Sequence, residues 1–376
     1  MSGSPLHPSD RYHRQMLLAG IGEEGQQQLA RTHIALVGCG ALGCTIADLL
    51  VRAGIGRLTL IDRDLVELTN LQRQTLYTED DARLAKPKAE AARDRLRLVN
   101  DNVTIDAYAD DFNALNAERY LKGADLLLDG LDNFETRYLL NDLAVKHHLP
   151  YVYGGAVGTT GMSMVILPHS TAAKPSWSGH IGWRPGQSTP CLRCLFPEAP
   201  PPGSTPTCDT AGVLGPVVSL VAARQAMEAI KLCVGAIDAV DTRLHSFDGW
   251  NNEDRSFDVS SAWREGTCPT CASGAFEYLD DQATSGATSL CGRNAVQITP
   301  PADRSSQRMD LHALADRLAP FGEFRCNDSL LRGELRRDGD DADPLELTVF
   351  PNGRTIIKGT SEPEVARAIY ARYIGT

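Results

Sequence analysis

The stretch His33-Ile-Ala-Leu-Val-Gly-Cys-Gly-Ala-Leu-Gly43 decides the fold. Residues 33–37 are a short, largely apolar run that reads as a strand. Three glycines follow in the pattern Gly38-x-Gly40-x-x-Gly43, and a helical run from Ala41 to Arg52 starts inside that loop. Gly54 and Gly56 end the helix. Arg57-Leu-Thr-Leu-Ile61 reads as a second strand, closed by Asp62 about 20 residues beyond the loop. The whole is a β-α-β unit with its glycines at the strand-to-helix turn. Glycines let a backbone approach phosphates, and a helix N-terminus favours negative charge. The loop by itself does not say whether the nucleotide is NAD or ATP.

The same alternation continues outward. Upstream, residues 11–30 read as one helix with Met16, Leu17, Leu18 and Leu29 as its apolar points. Downstream, Lys88–Leu98 and Asn133–His147 read as helices. Val103–Tyr108, Ala124–Asp129, Tyr151–Val157 and Met162–Leu167 read as strands. The expected fold is α/β, a Rossmann-like, mostly parallel sheet covered on both faces. From Pro168 to Gly212 the composition turns to Pro, Gly, Ser and Thr, before a clear helix at Val217–Leu232. Residues 1–272 read as one domain, 273–292 as a linker and 293–376 as a small α+β accessory domain. In that last part Asp310–Leu318 and Glu362–Tyr373 read as helices. Leu345–Phe350 and Arg354–Lys358 read as a hairpin turning at Asn352-Gly353.

A chain of 376 residues, 42% hydrophobic, suits two cores. Its 37 basic and 48 acidic residues leave a net charge of −11 and a pI near 5.3, which argues against a nucleic-acid binder. No run approaches the roughly 20 apolar residues that span a bilayer. Met1–Asp10 has no apolar signal core, so the expected location is cytoplasmic.

Ten cysteines in such a chain point to metal ligands, core residues or nucleophiles rather than disulfides. Cys191-Leu-Arg-Cys194 and Cys268-Pro-Thr-Cys271 have the spacing of a tetrahedral four-cysteine zinc site, a closed and therefore structural one that would staple the second half of the domain. Cys39, Cys44 and Cys233 sit in apolar contexts and read as core. Cys208 precedes a helix start, where the dipole lowers a thiol pKa. It reads equally as a bystander or as a nucleophile.

Two further segments decide between the nucleotides. Thr69-Asn70-Leu71-Gln72-Arg73-Gln74 and Lys86-Pro87-Lys88 place cations after the second strand. A triphosphate needs such charge on its β- and γ-groups, and a dinucleotide does not. Gly130-Leu131-Asp132-Asn133 puts a carboxylate after the fourth strand, where open α/β sheets bind ligands. A carboxylate there suits Mg²⁺.

On these residues the chain resembles the ThiF/MoeB/HesA family of adenylyltransferases, which activate ubiquitin-like sulfur carriers and are related to ubiquitin-activating enzymes. The molybdopterin-synthase adenylyltransferases are its nearest group. The resemblance runs from about Arg11 to Ala272. It rests on Arg11-Tyr-x-Arg14-Gln, the glycine loop, Asp62-Arg-Asp64, Asn70-Leu-Gln-Arg73-Gln, Lys86, Asp132-Asn133, both cysteine pairs and Cys208-Asp-Thr-Ala-Gly-Val-Leu-Gly-Pro216. It implies that Asp62 binds the ATP ribose and that Thr69, Asn70, Arg73 and Lys86 contact the nucleotide. Gly38, Gly40, Ala41, Gly43, Asp64 and Asn133 complete the pocket. Asp132 holds Mg²⁺, and Arg14 reaches the phosphates of a partner subunit's ATP in a homodimer. Ala41 stands where some relatives have glycine. The implied catalytic residues are Arg14, Arg73, Lys86, Asp132 and Cys208, the last forming a thioester or acyl disulfide.

The implied reaction is adenylation of the C-terminal glycine of a sulfur carrier ending in Gly-Gly, of the molybdopterin-synthase or thiamine type, ahead of sulfur transfer with a sulfurtransferase. Four other readings remain: an activating enzyme for another ubiquitin-like modifier, a non-catalytic scaffold of the same fold, an enzyme activating a tRNA carboxylate, and a dehydrogenase. A dehydrogenase leaves Arg73, Lys86 and the four paired cysteines unexplained. The accessory domain reads either as a docking module for the carrier or another partner or only as a stabilising appendage.

Overall fold

A computed structural model describes residues 8–169, 181–198, 211–263, 266–280, 287–290, 294–299, 309–336 and 344–374. The chain divides into a unit over residues 1–280 and a second over 281–376.

The first unit is built on eight strands: β1 (His33–Val37), β2 (Arg57–Ile61), β3 (Thr104–Tyr108), β4 (Leu126–Asp129), β5 (Tyr151–Val157), β6 (Thr160–Ile166), β7 (Leu244–Asp248) and β8 (Glu253–Phe257). Their order is β3-β2-β1-β4-β5-β6-β7-β8. The first five are parallel, and β6, β7 and β8 are added antiparallel. All five residues of β1 are buried, as a central strand covered on both faces requires. Its helices are α1 (Pro8–Met16), α2 (Gly22–Leu29), α3 (Ala41–Ala53), α4 (Glu79–Arg83), α5 (Lys88–Val99), α6 (Ala117–Leu121), α7 (Phe134–His147), α8 (Leu192–Leu195), α9 (Gly215–Cys233) and α10 (Glu277–Asp280). One core cluster joins α3, α5 and α9 to one face of the sheet, through Leu50, Leu96 and Val221. A second joins α7 and the four paired cysteines to the other face, through Tyr138, Leu140 and Leu192.

Three differences from the sequence reading have local causes. The helix expected over 11–30 is two, α1 and α2, parted at Gly20-Ile21-Gly22, where Gly22 has a φ of +60°. Leu17 and Leu18, read as apolar points of that helix, are exposed. Strands β7 and β8 have no counterpart in the sequence reading: every residue of β8 is exposed, so no apolar alternation marks it. It exists because it pairs with β7 across a turn in which Asn252 takes a φ of +57°.

The second unit is an antiparallel sheet of β9 (Ala287–Leu290), β10 (Ala295–Ile298), β11 (Gly322–Cys326), β12 (Leu331–Leu335), β13 (Leu345–Val349) and β14 (Thr355–Lys358), ordered β11-β12-β13-β14-β10-β9. Helix α11 (Leu311–Leu318) packs Leu311, Leu314 and Leu318 against Leu331 and Val349. Helix α12 (Pro363–Ile369) brings Ala366 to Val296, Leu347 and Ile357. The β13–β14 hairpin turns at Gly353, whose φ is +83°. The segment 273–292, read as a linker, contains α10 of the first unit and β9 of the second.

Candidate active site and metal centre

The carboxyl ends of β1, β2 and β4 meet at a contact that only glycines permit. A Cβ on Gly43 would lie 1.9 Å from the Gly38 carbonyl oxygen, and one on Gly130 would lie 2.2 Å from it. Gly38 itself has a φ of +92° and donates its N–H to the Ile61 carbonyl at 2.8 Å. Backbone touching backbone fixes the loop before any ligand arrives. Gly40 differs, because a Cβ there would meet nothing nearer than 3.8 Å. It is the N-cap of α3, without a side-chain cap and with no acidic residue in the first turn, so the helix presents free N–H groups.

Asp62 ties the loop to β2. One carboxylate oxygen accepts the Cys39 N–H at 2.6 Å and the other the Asp64 N–H at 2.7 Å. Burial raises its pKa, and Lys88 opposes the shift. Lys88, 4% exposed at its side chain, donates to Asp64 at 2.9 Å. A short antiparallel bridge joins Leu65 to Pro87 and holds this lysine and Lys86 beside the β2 end. Lys86 is half-exposed and paired with Asp81 at 2.7 Å, which raises its pKa. Arg73 donates to the Thr69 carbonyl at 3.0 Å. Asn70 is buried, and its side chain accepts the Glu67 N–H at 3.0 Å.

Beyond β4, Asp132 is exposed, 3.4 Å from the Asn133 amide nitrogen. Asn133 caps α7 by accepting the Thr136 N–H at 2.9 Å, so Asp132 is the free oxygen donor of that pair and suits a hydrated Mg²⁺. Behind it lies a buried ion pair that the sequence did not disclose. Asp129, fully buried, takes Arg137 at 3.0 Å and the Tyr151 hydroxyl at 2.8 Å. Burial pushes Asp129 up, and the Arg137 charge opposes it. Arg137 also donates to the Leu131 and Gly154 carbonyls, fixing the loop that carries Asp132.

The four paired cysteines converge. Their sulfurs lie 3.8 Å (Cys191–Cys194), 3.7 Å (Cys191–Cys268) and 3.5 Å (Cys194–Cys271) apart, and all four lie within 4.8 Å of one another. A tetrahedron with Zn–S bonds of about 2.3 Å has S···S edges of about 3.8 Å, so the donor set fits zinc; the spacing is far too long for disulfides. Helix α7 supports the cluster. Asn141 accepts the Leu192 N–H at 2.8 Å, and Asp142 accepts the Tyr278 N–H at 3.0 Å. Burial raises Asp142 to about 7.

Residues 12–270 match the ThiF family. The chain belongs to that family. It is 39% identical over 368 residues to the sulfur carrier protein ThiS adenylyltransferase of Bacillus subtilis, covering 97% of this chain and 99% of that one. It is also 39% identical to the sulfur carrier protein adenylyltransferase of Thermus thermophilus over 262 residues, 70% of this chain and 90% of that one. Among solved structures, E. coli MccB with ATP superposes with a TM-score of 0.53 at 22% identity, over 70% of this chain and 74% of that one, a likeness of fold.

Within the ThiF unit, Gly38, Gly40, Ala41, Gly43, Asp62, Asp64, Asp132 and Asn133 follow the carboxyl ends of three adjacent strands, and Thr69, Asn70, Arg73 and Lys86 follow β2. Arg14 lies elsewhere. Helix α1 docks through Gln15 on the Ala53 carbonyl, Arg11 on the Val99 carbonyl and Tyr12 on Asn100, at the far ends of α3 and α5. Twelve residues of α3 separate that end from Ala41, about 18 Å at 1.5 Å per residue. Arg14 is exposed there. Cys208 lies outside the described residues. Cys39, Cys44 and Cys233 are buried core thiols, and burial pushes each pKa up. Lys88, read from the sequence only as one of the cations after the second strand, is instead buried on Asp64 at the head of α5. Nothing local marks Arg137. No described helix is long and apolar enough to cross a membrane.

Proposed function

We propose that this chain adenylates the C-terminal glycine of a ubiquitin-like sulfur carrier protein. The observation that carries the proposal is the end-to-end similarity to the ThiS adenylyltransferase of Bacillus subtilis, which includes the second unit. The SAMP-activating enzyme E1 of Haloferax volcanii is 35% identical over only 72% of this chain, so a modifier-activating role has weaker support.

The carrier's terminal carboxylate, ionised at neutral pH, attacks the α-phosphorus of ATP. An O–P bond forms, the α–β phosphoanhydride breaks, and pyrophosphate leaves with the bonding pair. No enzyme nucleophile is needed, so catalysis is positioning and charge neutralisation. Asp62 holds the ribose, while the glycine loop and the α3 N-terminus take phosphate oxygens. Arg73 and Lys86 neutralise the outer phosphates, with Lys86 exchanging Asp81 for the ligand. Asp132 would hold Mg²⁺, which when bound would supply charge stabilisation at the phosphates. Zinc at Cys191, Cys194, Cys268 and Cys271 is structural.

Arg14 completes the site of a second copy of the chain in a C2 homodimer. The support is its separation from its own loop, which a side chain cannot span. In the cytoplasm, the Cys208 thiolate then attacks the carbonyl of the carrier's acyl adenylate, forming a thioester as the acyl–O bond breaks and AMP leaves, before a sulfurtransferase delivers sulfur. Carrier-dependent ATP–pyrophosphate exchange tests the proposal: it is expected with a carrier ending in Gly-Gly and absent when that end is removed. NAD binding without ATP binding would overturn it.

A further inference from the structure

Helix α9 lays Val218, Val221, Ala222, Ala226 and Ala229 into the core on one face of the sheet, and one amide interrupts that stripe. Gln225 is fully buried. An amide in such a place is costly unless it makes hydrogen bonds. Its Nε2 donates to the Asp129 carbonyl at 2.9 Å and to the Val152 carbonyl at 3.2 Å. The β4–β5 ladder ends just there, with Leu128 opposite Val152. One side chain from the helix layer therefore bridges the two strands where their pairing stops.

The surrounding backbone is shaped to this amide. A Cβ on Gly154 would fall 2.3 Å from the Gln225 amide carbon, while the Gly154 carbonyl accepts Arg137 of α7 at 3.0 Å. Helices α7 and α9 pack on opposite faces of the sheet. The segment 129–131 is thus held from both sides. Arg137 takes the Asp129 carboxylate and the Leu131 carbonyl, and Gln225 takes the Asp129 carbonyl. Between them Gly130 rests on Gly38, with no room for a Cβ. Asp132 comes next and is exposed, so the placing of its carboxylate depends on this short anchored backbone.

We propose that Gln225 is a positioning residue for Asp132. Through the Asp129 and Val152 carbonyls it fixes the end of β4 against α9, and so sets where the Asp132 carboxylate meets Mg²⁺·ATP. Fully buried, it touches neither nucleotide nor metal. Arg137 alone cannot do this, because it reaches the segment from the other face and leaves the Asp129 carbonyl to Gln225. This rests on the reading of Asp132 as the Mg²⁺ residue of an ATP site given above.

The test uses the full chain, calorimetric titration with ATP in Mg²⁺ and in EDTA, and thermal unfolding without ligand. Gln225→Met keeps the volume and removes the donor. Losing a group that orients a metal ligand weakens metal binding by about 10–100-fold. The Kd for Mg²⁺·ATP should therefore rise at least about tenfold, while the Kd for ATP in EDTA stays within about twofold of native. The unfolding midpoint should fall by no more than about 10 °C, the scale of two lost hydrogen bonds. Gln225→Glu, nearly isosteric, is held protonated by burial and keeps one donor, so its Kd for Mg²⁺·ATP should lie between native and Gln225→Met. A native Kd for Mg²⁺·ATP in a folded Gln225→Met protein would overturn the assignment. So would equal weakening in Mg²⁺ and in EDTA, a Gln225→Glu protein no better than Gln225→Met, or failure of both variants to fold, since the amide would then serve the fold alone. A native protein that binds ATP equally with and without Mg²⁺ would instead overturn the Mg²⁺ reading of Asp132, and this assignment with it.

Discussion

The two chemical centres of the first unit are held in opposite ways. At the glycine loop, backbone meets backbone. Gly38, Gly43 and Gly130 touch with no room for a Cβ, and Asp62 closes the loop through two main-chain N–H groups. That arrangement is complete without ligand. At the cysteine cluster, four sulfurs within 4.8 Å are brought together by side chains of α7 and by two turns. Four thiolates at that distance repel one another unless a cation sits among them. The glycine-loop edge is thus preorganised, whereas the cysteine cluster is complete only once a cation joins it.

The largest effect expected from this contrast is loss of the metal. Native protein should carry one zinc per chain, and Cys268→Ser none. Removal should lower the unfolding free energy by several kcal/mol, about 5, because metal binding is coupled to folding. Metal analysis with thermal unfolding checks this, and a zinc-free protein of native stability would break the comparison. Next is Arg137→Met, which leaves Asp129 buried and unpaired. It should cost about 3–5 kcal/mol in unfolding free energy, read by denaturant titration. A loss below about 1 kcal/mol would mean that Tyr151 and the Leu131 N–H suffice to hold that carboxylate.

Asp132→Ala should do the reverse. Exchange activity should fall at least about a hundredfold, while stability stays within about 0.5 kcal/mol, since the side chain is exposed. Full activity would remove the Mg²⁺ role. The smallest effect is a recovery: Arg14→Ala and Asp132→Ala chains, each nearly inactive, should regain about a quarter to a half of native exchange after subunit mixing. Absence of recovery with proven subunit exchange would return Arg14 to its own chain.

The legibility of the two centres follows the same division. The glycine loop could be read because its requirement is local: a positive φ at Gly38, a close approach at Gly43 and a helix start at Gly40 occupy six consecutive residues. The cysteine pairs were legible by spacing within each pair, although their meeting spans 77 residues. Gln74 and Arg137 were not assigned and Lys88 only as a cation after β2, because their burial depends on which face a bridge or a helix turns inward. Strand β8 was invisible for the same reason, since Glu253-Asp-Arg-Ser-Phe257 is a strand only by pairing with β7.

The amino-acid sequence by itself determined the β-α-β alternation, the glycine loop at its strand-to-helix turn, the acidic and cationic residues after the strands and the spacing of the cysteine pairs. Each is a matter of residue type and short spacing, which set backbone freedom, periodicity and ligand softness directly. Only the tertiary structure decided that α1 sits about 18 Å along α3 from the loop, which takes Arg14 away from its own site. It alone decided that Asp129 pairs with Arg137 beneath Asp132, and that the Gln74 side-chain oxygen is buried without a partner. Those facts are relations between distant segments: burial and pairing are properties of what packs against a residue, and no local pattern carries them.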